Sequence, residues 1–319
     1  MKYYFAPMEG ITGYAFRNVY HAHTHMVDEY FTPFIVGNRK ASMKSKELRD
    51  ILPENNQQIT IIPQILSKDP VEFINTARRI ASLGYSEMNL NLGCPSGTVV
   101  SKGRGAGFLG NLEELEEFFQ AVMPSLSDLS ISVKTRVGLD SIDAWDEILD
   151  IYEKLALKEL IIHPRTRKEG YSGTIHRDLF WKAVERMPFP VVYNGELWKK
   201  KDLLAFYEEN EAHGNRVKAM MLGRGLLANP FLLEEETMAE AALKERFLAY
   251  YMDLFESYRK EIPGERDILF KMKELWNYQI LAWEDGRGDL KEIRKASTVM
   301  EYKIAVKNLV RNGHLSKER

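Results

Sequence analysis

The sequence predicts a (β/α)8 TIM barrel followed by an all-helical domain, on three observations. Short apolar runs bounded by turn residues recur eight times between Tyr3 and Leu222, helical patterns separate them, and strand signals stop after Pro230. A doubly wound open sheet also alternates strand and helix, but eight units match the closed barrel better.

The eight runs centre on Tyr3 to Ala6, Val27 to Thr32, Ile59 to Ile65, Ser86 to Leu92, Ile131 to Arg136, Leu160 to His163, Val191 to Asn194 and Ala219 to Leu222. Between them, Val71 to Leu83, Leu112 to Met123 and Ile142 to Leu157 place apolar residues at three- and four-residue steps, the period of a half-buried helix. Asp69-Pro70 and Asn111 supply helix starts, because Asp and Asn side chains accept from the free N–H groups of a first turn. Glu234 to Tyr258, Asp267 to Trp283 and Leu290 to Val310 read as three further helices, with breaks at Pro263-Gly264 and at Gly286-Arg287-Gly288. The domains expected are therefore residues 1–233 and 234–319, the second with a slight positive balance.

The 319 residues are 45% hydrophobic and 28% charged, an ordinary composition for a folded soluble chain. No apolar run reaches the roughly 18 residues that span a bilayer, and the N-terminus lacks a basic-then-apolar leader. A cytoplasmic protein with no membrane contact is expected. One cysteine, Cys94, forbids an internal disulfide, and a formal net charge of −2 confines any polyanion site to a local patch. No metal is expected.

In a TIM barrel the informative positions lie just past each strand. Here they read Pro7-Met8-Glu9-Gly10, Gln64, Asn91-Leu92-Gly93-Cys94-Pro95, Lys134-Thr135-Arg136, His163-Pro164-Arg165-Thr166-Arg167, Asn194-Gly195-Glu196 and Gly223-Arg224-Gly225. The last two clusters fit a phosphate site: glycines let backbone approach a ligand and Arg224 can pair with phosphate, although each cluster alone also makes an ordinary tight turn. Lys134 is either a fixed charge in the mouth or a snorkelling surface residue. His163 acts on a ligand or is hydrogen-bonded structure. A free cysteine is more often a small buried hydrophobe, but Cys94 stands in a Gly-Cys-Pro turn three residues after Asn91, whose amide can bind the polar edge of a base. The stretch Lys102-Gly103-Arg104-Gly105-Ala106-Gly107 is expected to form a mobile loop over the site; it lacks the GK[ST] of a triphosphate loop.

Taken together, APMEGIT, NLNLGCP with a following GAGFL, SVKTRVG, HPRTR with YSG, VVYNGE and MLGRG resemble the tRNA-dihydrouridine synthases, in that family's order across residues 3–233. The resemblance implies an FMN-dependent reduction of tRNA uridine with NADPH; a monomer is expected. Pro7, Met8 and Glu9 would line the isoalloxazine, Gln64 would bond its polar edge, and Lys134 and His163 would approach ring and ribityl. Asn194, Gly195, Glu196, Gly223 and Arg224 would hold the phosphate. Cys94 would protonate C5 of a uracil that receives hydride at C6, with Asn91 binding that base. Lys102, Arg104 and Arg167 would contact RNA, and the helical tail would occupy the place of the RNA-binding domain. Two rival readings remain: an FMN barrel reductase of a small enone or pyrimidine, and a tRNA-binding module without catalysis. The charged segment Lys40 to Gln58 has no assigned role.

Overall fold

The computed structural model describes residues 1–234 and 238–316. Its strands are β1 (Lys2–Phe5), β2 (Glu29–Phe31), β3 (Ile35–Val36), β4 (Ile61–Ile62), β5 (Gln64–Leu66), β6 (Glu87–Leu92), β7 (Ser130–Arg136), β8 (Leu160–His163), β9 (Val191–Tyr193) and β10 (Ala219–Leu222). The helices are α1 (Tyr14–Thr24), α2 (Ser45–Ile51), α3 (Pro70–Ala81), α4 (Gly97–Val100), α5 (Leu112–Ser125), α6 (Trp145–Glu153), α7 (Arg177–Arg186), α8 (Lys200–Ala212), α9 (Arg224–Ala228), α10 (Glu240–Glu261), α11 (Glu265–Gln279), α12 (Arg287–Lys295) and α13 (Val299–Asn312).

All strands pair in parallel, in the order β3-β5-β6-β7-β8-β9-β10-β1-β2-β4. The two ends of that order meet in one segment, because β4 and β5 are pieces of the single run Ile59 to Ile65. Pro63 has no N–H to give to the ladder and interrupts the strand, so β4 pairs with β2 while β5 pairs with β6. The sheet therefore closes on itself as the expected TIM barrel. The two-residue β3, unmarked in the sequence, adds to β5.

Alternation along the strands decides what fills the barrel. Tyr4, Phe31, Ile62, Ile161, Val192, Ala219 and Met221 make an apolar layer across its middle. Two residues further along the chain, the same face carries Gln64, His163 and Asn194, and on the neighbouring β6 and β7 it carries Asn91 opposite Lys134. One period of two thus delivers the site residues to the C-terminal mouth.

Asp69 and Asn111 cap their helices as expected, accepting from the amides of Glu72 and Glu114, with Pro70 in the first turn where no N–H is missed. The helix expected from Leu290 to Val310 is instead two, α12 and α13. The break is chemical: Thr298 accepts from the Glu301 amide and the Glu301 carboxylate reaches back to Thr298, a capping box that starts a new helix. Thr298→Ala removes one side of that box and is expected to lower stability by about 1 kcal/mol, read as a shift of the urea midpoint at unchanged slope.

Two compact units divide the chain. The first, Met1–Glu9, Glu29–Glu196 and Glu209–Leu222, contains every barrel strand; the second, Gly10–Asp28, Leu197–Glu208 and Gly223–Arg319, is helical. The helical unit takes in more than residues 234–319, since α1 belongs to it: Ser257 donates to the Ala15 carbonyl (3.2 Å), Tyr258 to that of Ile11 (3.1 Å) and Tyr20 to that of Pro230 (2.8 Å). Its core is aromatic, with Trp276 donating to the Tyr302 hydroxyl (2.8 Å) and Trp283 to that of Tyr251 (3.2 Å). The first residues of the helix expected from Glu234, residues 235–237, lie outside the described residues, and α10 begins at Glu240. The expected positive balance of residues 234–319 is corrected by counting: 16 Lys and Arg stand against 17 Asp and Glu. No helix among the described residues is long and apolar enough to cross a membrane.

Candidate active site

Inside the barrel, polar side chains stand where a core would ordinarily be apolar. Asn89 on β6 faces Ser132 on β7, and Gln64 on β5 faces Asn89. These groups are almost fully buried and satisfy one another in a chain. Asn89 donates to the Ser132 hydroxyl (2.9 Å), Gln64 donates to the Asn89 carbonyl oxygen (2.7 Å), and Asn91 donates to that of Gln64 (2.7 Å). The chain ends on the reactive turn, where the Asn91 carbonyl oxygen accepts from the backbone N–H groups of Gly93 (3.1 Å) and Cys94 (2.9 Å). A buried amide left unpaired costs about 1–3 kcal/mol, so such a chain holds its terminus in one position. Asn91 and Gln64, expected to bind ligand, are thus also committed to holding Cys94; each retains one amide N–H for a ligand.

Two further elements fix the Cys94 turn. Arg136, 1% exposed, donates to the carbonyls of Gly93 (2.8 Å), Thr166 (2.9 Å) and Gly170 (2.9 Å), tying the turn after β6 to the loop after β8. Gly105 has φ +58°, and a side chain there would stand 2.9 Å from the Cys94 carbonyl oxygen and 3.0 Å from its Cβ. The glycine-rich stretch, expected as a mobile lid, is instead packed on this turn: Ala106 donates to the Cys94 carbonyl (3.1 Å), and Gly105, Ala106, Phe108 and Leu109 are buried. Gly105→Ala combines a left-handed backbone with that collision and is expected to destabilise by about 1–3 kcal/mol while moving Cys94. Melting temperature and product formation should fall together; a variant unchanged in both would show that the turn tolerates displacement.

The electrostatics suit an acid. Burial pushes the Cys94 thiol above its ordinary value, against smaller opposing effects from the Ser96 backbone, Arg136 and Lys134, so it stays protonated at neutral pH. Burial, reinforced by Arg136, pushes the Lys134 ammonium down to about 7. Among the described residues no carboxylate pairs with Lys134, which leaves a cation at the mouth awaiting an anion. His163 is buried at the end of β8 with the exposed ring of Tyr171 tilted over it (centroids 6.0 Å apart), and Arg136 lies under the same ring at 5.4 Å.

The other expected residues divide. Pro7, Met8 and Glu9 follow β1, and Glu9 is near enough to act electrostatically on Cys94. Asn194 spends one N–H on the Met221 carbonyl (2.7 Å), and Glu196 is ion-paired with buried Arg165 (2.6 Å), which neutralises a carboxylate in the loop expected to take phosphate. Gly195 leaves no room for a side chain, a built Cβ lying 2.0 Å from the Tyr193 hydroxyl. Gly223 and Arg224 belong to the helical unit, where Arg224 stacks over Trp198 at 4.7 Å. Arg104 is part-buried and paired with Glu72 (2.9 Å), which fastens its loop to α3, whereas Lys102 stays exposed and Arg167 half-exposed. Asn89, Ser132 and the special place of Gly105 were missed, and Arg136 and Tyr171 were quoted in motifs without a role. Asn89 and Ser132 carried a signal, a polar residue at every second position of two otherwise apolar strands.

Fold and site define a TIM-barrel enzyme whose C-terminal mouth combines a protonated thiol, a buried cation and an amide chain that positions the thiol. The chain belongs to the dihydrouridine synthase (Dus) family, whose model matches residues 4–267. A Staphylococcus aureus (strain MRSA252) protein named "Probable tRNA-dihydrouridine synthase" is 29% identical over 267 residues, 80% of this chain and 78% of its own. A protein of the same name from Staphylococcus epidermidis is 30% identical over 262 residues, with the same coverage of both chains. Among solved structures, Old Yellow Enzyme from Pichia sp. AKU4542 matches with a TM-score of 0.50 at 12% identity, over 73% of this chain and 81% of its own, a likeness of fold alone.

Proposed function

We propose that this enzyme reduces uridine in tRNA to 5,6-dihydrouridine, with FMN as cofactor and NADPH as reductant, acting as a cytoplasmic monomer. The observation that carries the reading is Cys94: a thiol held protonated by burial, and fixed at the mouth by the Asn91–Gln64–Asn89–Ser132 chain. The residues present fit a flavin, because Lys134 at the C-terminal mouth is a cation without a carboxylate partner among the described residues and the neighbouring Asn91 and Gln64 amides each retain one N–H. A flavin held there would supply hydride chemistry, passing to uracil C6 the hydride that NADPH provides.

The chain's own residues do the rest. Lys134 would compensate negative charge on a bound ring and, with His163, would hold its polar side. Pro7, Met8 and Glu9 would line the ring, and the free N–H of Gln64 would be available to its polar edge. The family resemblance would give the phosphate end to Asn194, Gly195, Glu196, Gly223 and Arg224, with Arg165 neutralising Glu196. Cys94 gives its proton to C5 as hydride arrives at C6, and the free N–H of Asn91 orients the base beside it. Lys102 and Arg167 contact the RNA backbone, while residues 234–319 supply the remaining tRNA surface. A base within folded tRNA must leave its stack first, at a cost of a few kcal/mol, which those contacts offset.

Purified protein given FMN, NADPH and unmodified tRNA should form dihydrouridine, detected as the gain of two hydrogens by nucleoside mass spectrometry. Turnover of a small enone or free pyrimidine at the same rate, with tRNA untouched, would favour the small-molecule reductase.

A further inference from the structure

At the opposite end of the barrel from Cys94, three glutamates converge. Glu29 opens β2, Glu87 opens β6 and Glu159 immediately precedes β8, so parallel pairing brings all three to the N-terminal end. One oxygen from each lies within 4.8 Å of the others.

The hydrogen bonds of these carboxylates distinguish the cluster from a merely crowded one. Each carboxylate gives one oxygen to a protein partner. Tyr4 donates to Glu159 Oε2 (3.0 Å), Lys158 forms a close ion pair with Glu87 Oε2, and Glu29 Oε1 faces Lys158 and Lys2 at 3.8 Å each. The second oxygen of each, Glu29 Oε2, Glu87 Oε1 and Glu159 Oε1, is buried and has no hydrogen-bond partner. Orphaned buried carboxylate oxygens are costly, and natural interiors rarely keep them. Glu159 is only 4% exposed and Glu29 8%, so water does not reach these oxygens freely. A proton on one carboxyl would satisfy at most two of the three oxygens. A single cation satisfies all three.

We propose that Glu29, Glu87 and Glu159 bind one hard divalent cation of the Mg2+, Mn2+ or Ca2+ class at the floor of the barrel. Three carboxylate oxygens with no sulfur or imidazole select such an ion, which completes its coordination with water. Tyr4, Lys158 and Lys2 then serve as the outer groups that orient ligating carboxylates. Glu87 also lines a cavity of about 500 Å3 with Asn56, Thr60, Tyr85 and Ser86, which gives ion and waters a way in. The N-terminal end of a TIM barrel is associated with stability, so the ion's role is to hold β2, β6 and β8 together.

The test uses full-length protein freed of metal with EDTA and titrated with Mn2+, following free Mn2+ by electron paramagnetic resonance and melting temperature in parallel. One Mn2+ per chain and a rising melting temperature, reproduced by Mg2+ or Ca2+, are expected. Glu159→Gln and Glu87→Gln should each abolish the rise, yet melt no lower than the parent in EDTA because carboxylate repulsion is relieved. Tyr4→Phe should weaken binding about 10- to 100-fold. No Mn2+ uptake by the parent, or uptake undiminished in both glutamine variants, overturns the site.

Discussion

Cys94→Ala is expected to retain flavin and oxidise NADPH at the parental rate while forming dihydrouridine about 10²- to 10⁴-fold more slowly, the range that a positioned general acid contributes. The separation follows from the geometry. The thiol is held by backbone contacts from Asn91 and Ala106 and lends no hydrogen bond of its own to the amide chain, so its loss leaves Asn91, Gln64, Lys134 and Arg136 in place. Flavin spectrum, NADPH oxidation and product yield measured on one preparation separate the two outcomes. Wild-type product yield would remove Cys94 from the chemistry, whereas loss of bound flavin would make it a structural residue.

Lys134→Met is expected to release most of the flavin and to change how stability depends on pH. In the folded protein without cofactor the Lys134 ammonium loses its proton near pH 7, whereas in the unfolded chain it does so near 10.5. Between these values the unfolded chain binds more protons, so the Lys134 contribution raises stability as pH rises from about 7 towards 10.5. Below pH 7 both states are protonated and that slope vanishes, leaving the cost of a buried charge in full. Melting temperature of the flavin-free parent should therefore climb from pH 7 to 9 relative to the methionine variant. An anionic cofactor holds the lysine charged, so binding at pH 7 should take up about half a proton. Calorimetric titration in buffers of different ionisation enthalpy reads this directly. Parallel pH profiles for parent and variant, together with proton-neutral binding, would contradict the assignment of Lys134.

The barrel was legible because its signal is local. Each strand is a short β-rich run, and each mouth residue follows at the next step of a two-residue period, so Gln64, Asn91, Lys134, His163 and Asn194 could be read directly from the chain. What escaped depended on contacts between distant segments. Pro63 splitting one run into β4 and β5 makes sense only once β2 and β6 are known to flank it. Arg136 looks like one more mouth cation, yet it is buried and spent on three backbone carbonyls from two loops. Arg104 looks like an RNA contact but is taken up by Glu72, thirty-two residues earlier. The glycine-rich stretch reads as flexible from composition, although Gly105 is glycine because Cys94 lies against it. The division of the last helix was available in Ser297-Thr298-Val299-Met300-Glu301, a capping pattern outweighed by the apolar period running through it.

The central chemical step proposed for the molecule is protonation of uracil in tRNA by this thiol. Dihydrouridine mapped position by position in tRNA from cells lacking the protein tests it most directly, with the gene restored as parent or as Cys94→Ala. At least one dihydrouridine should disappear on deletion, return with the parent and stay absent with the alanine variant. A dihydrouridine pattern unchanged by deletion, or restored equally by both, would contradict it.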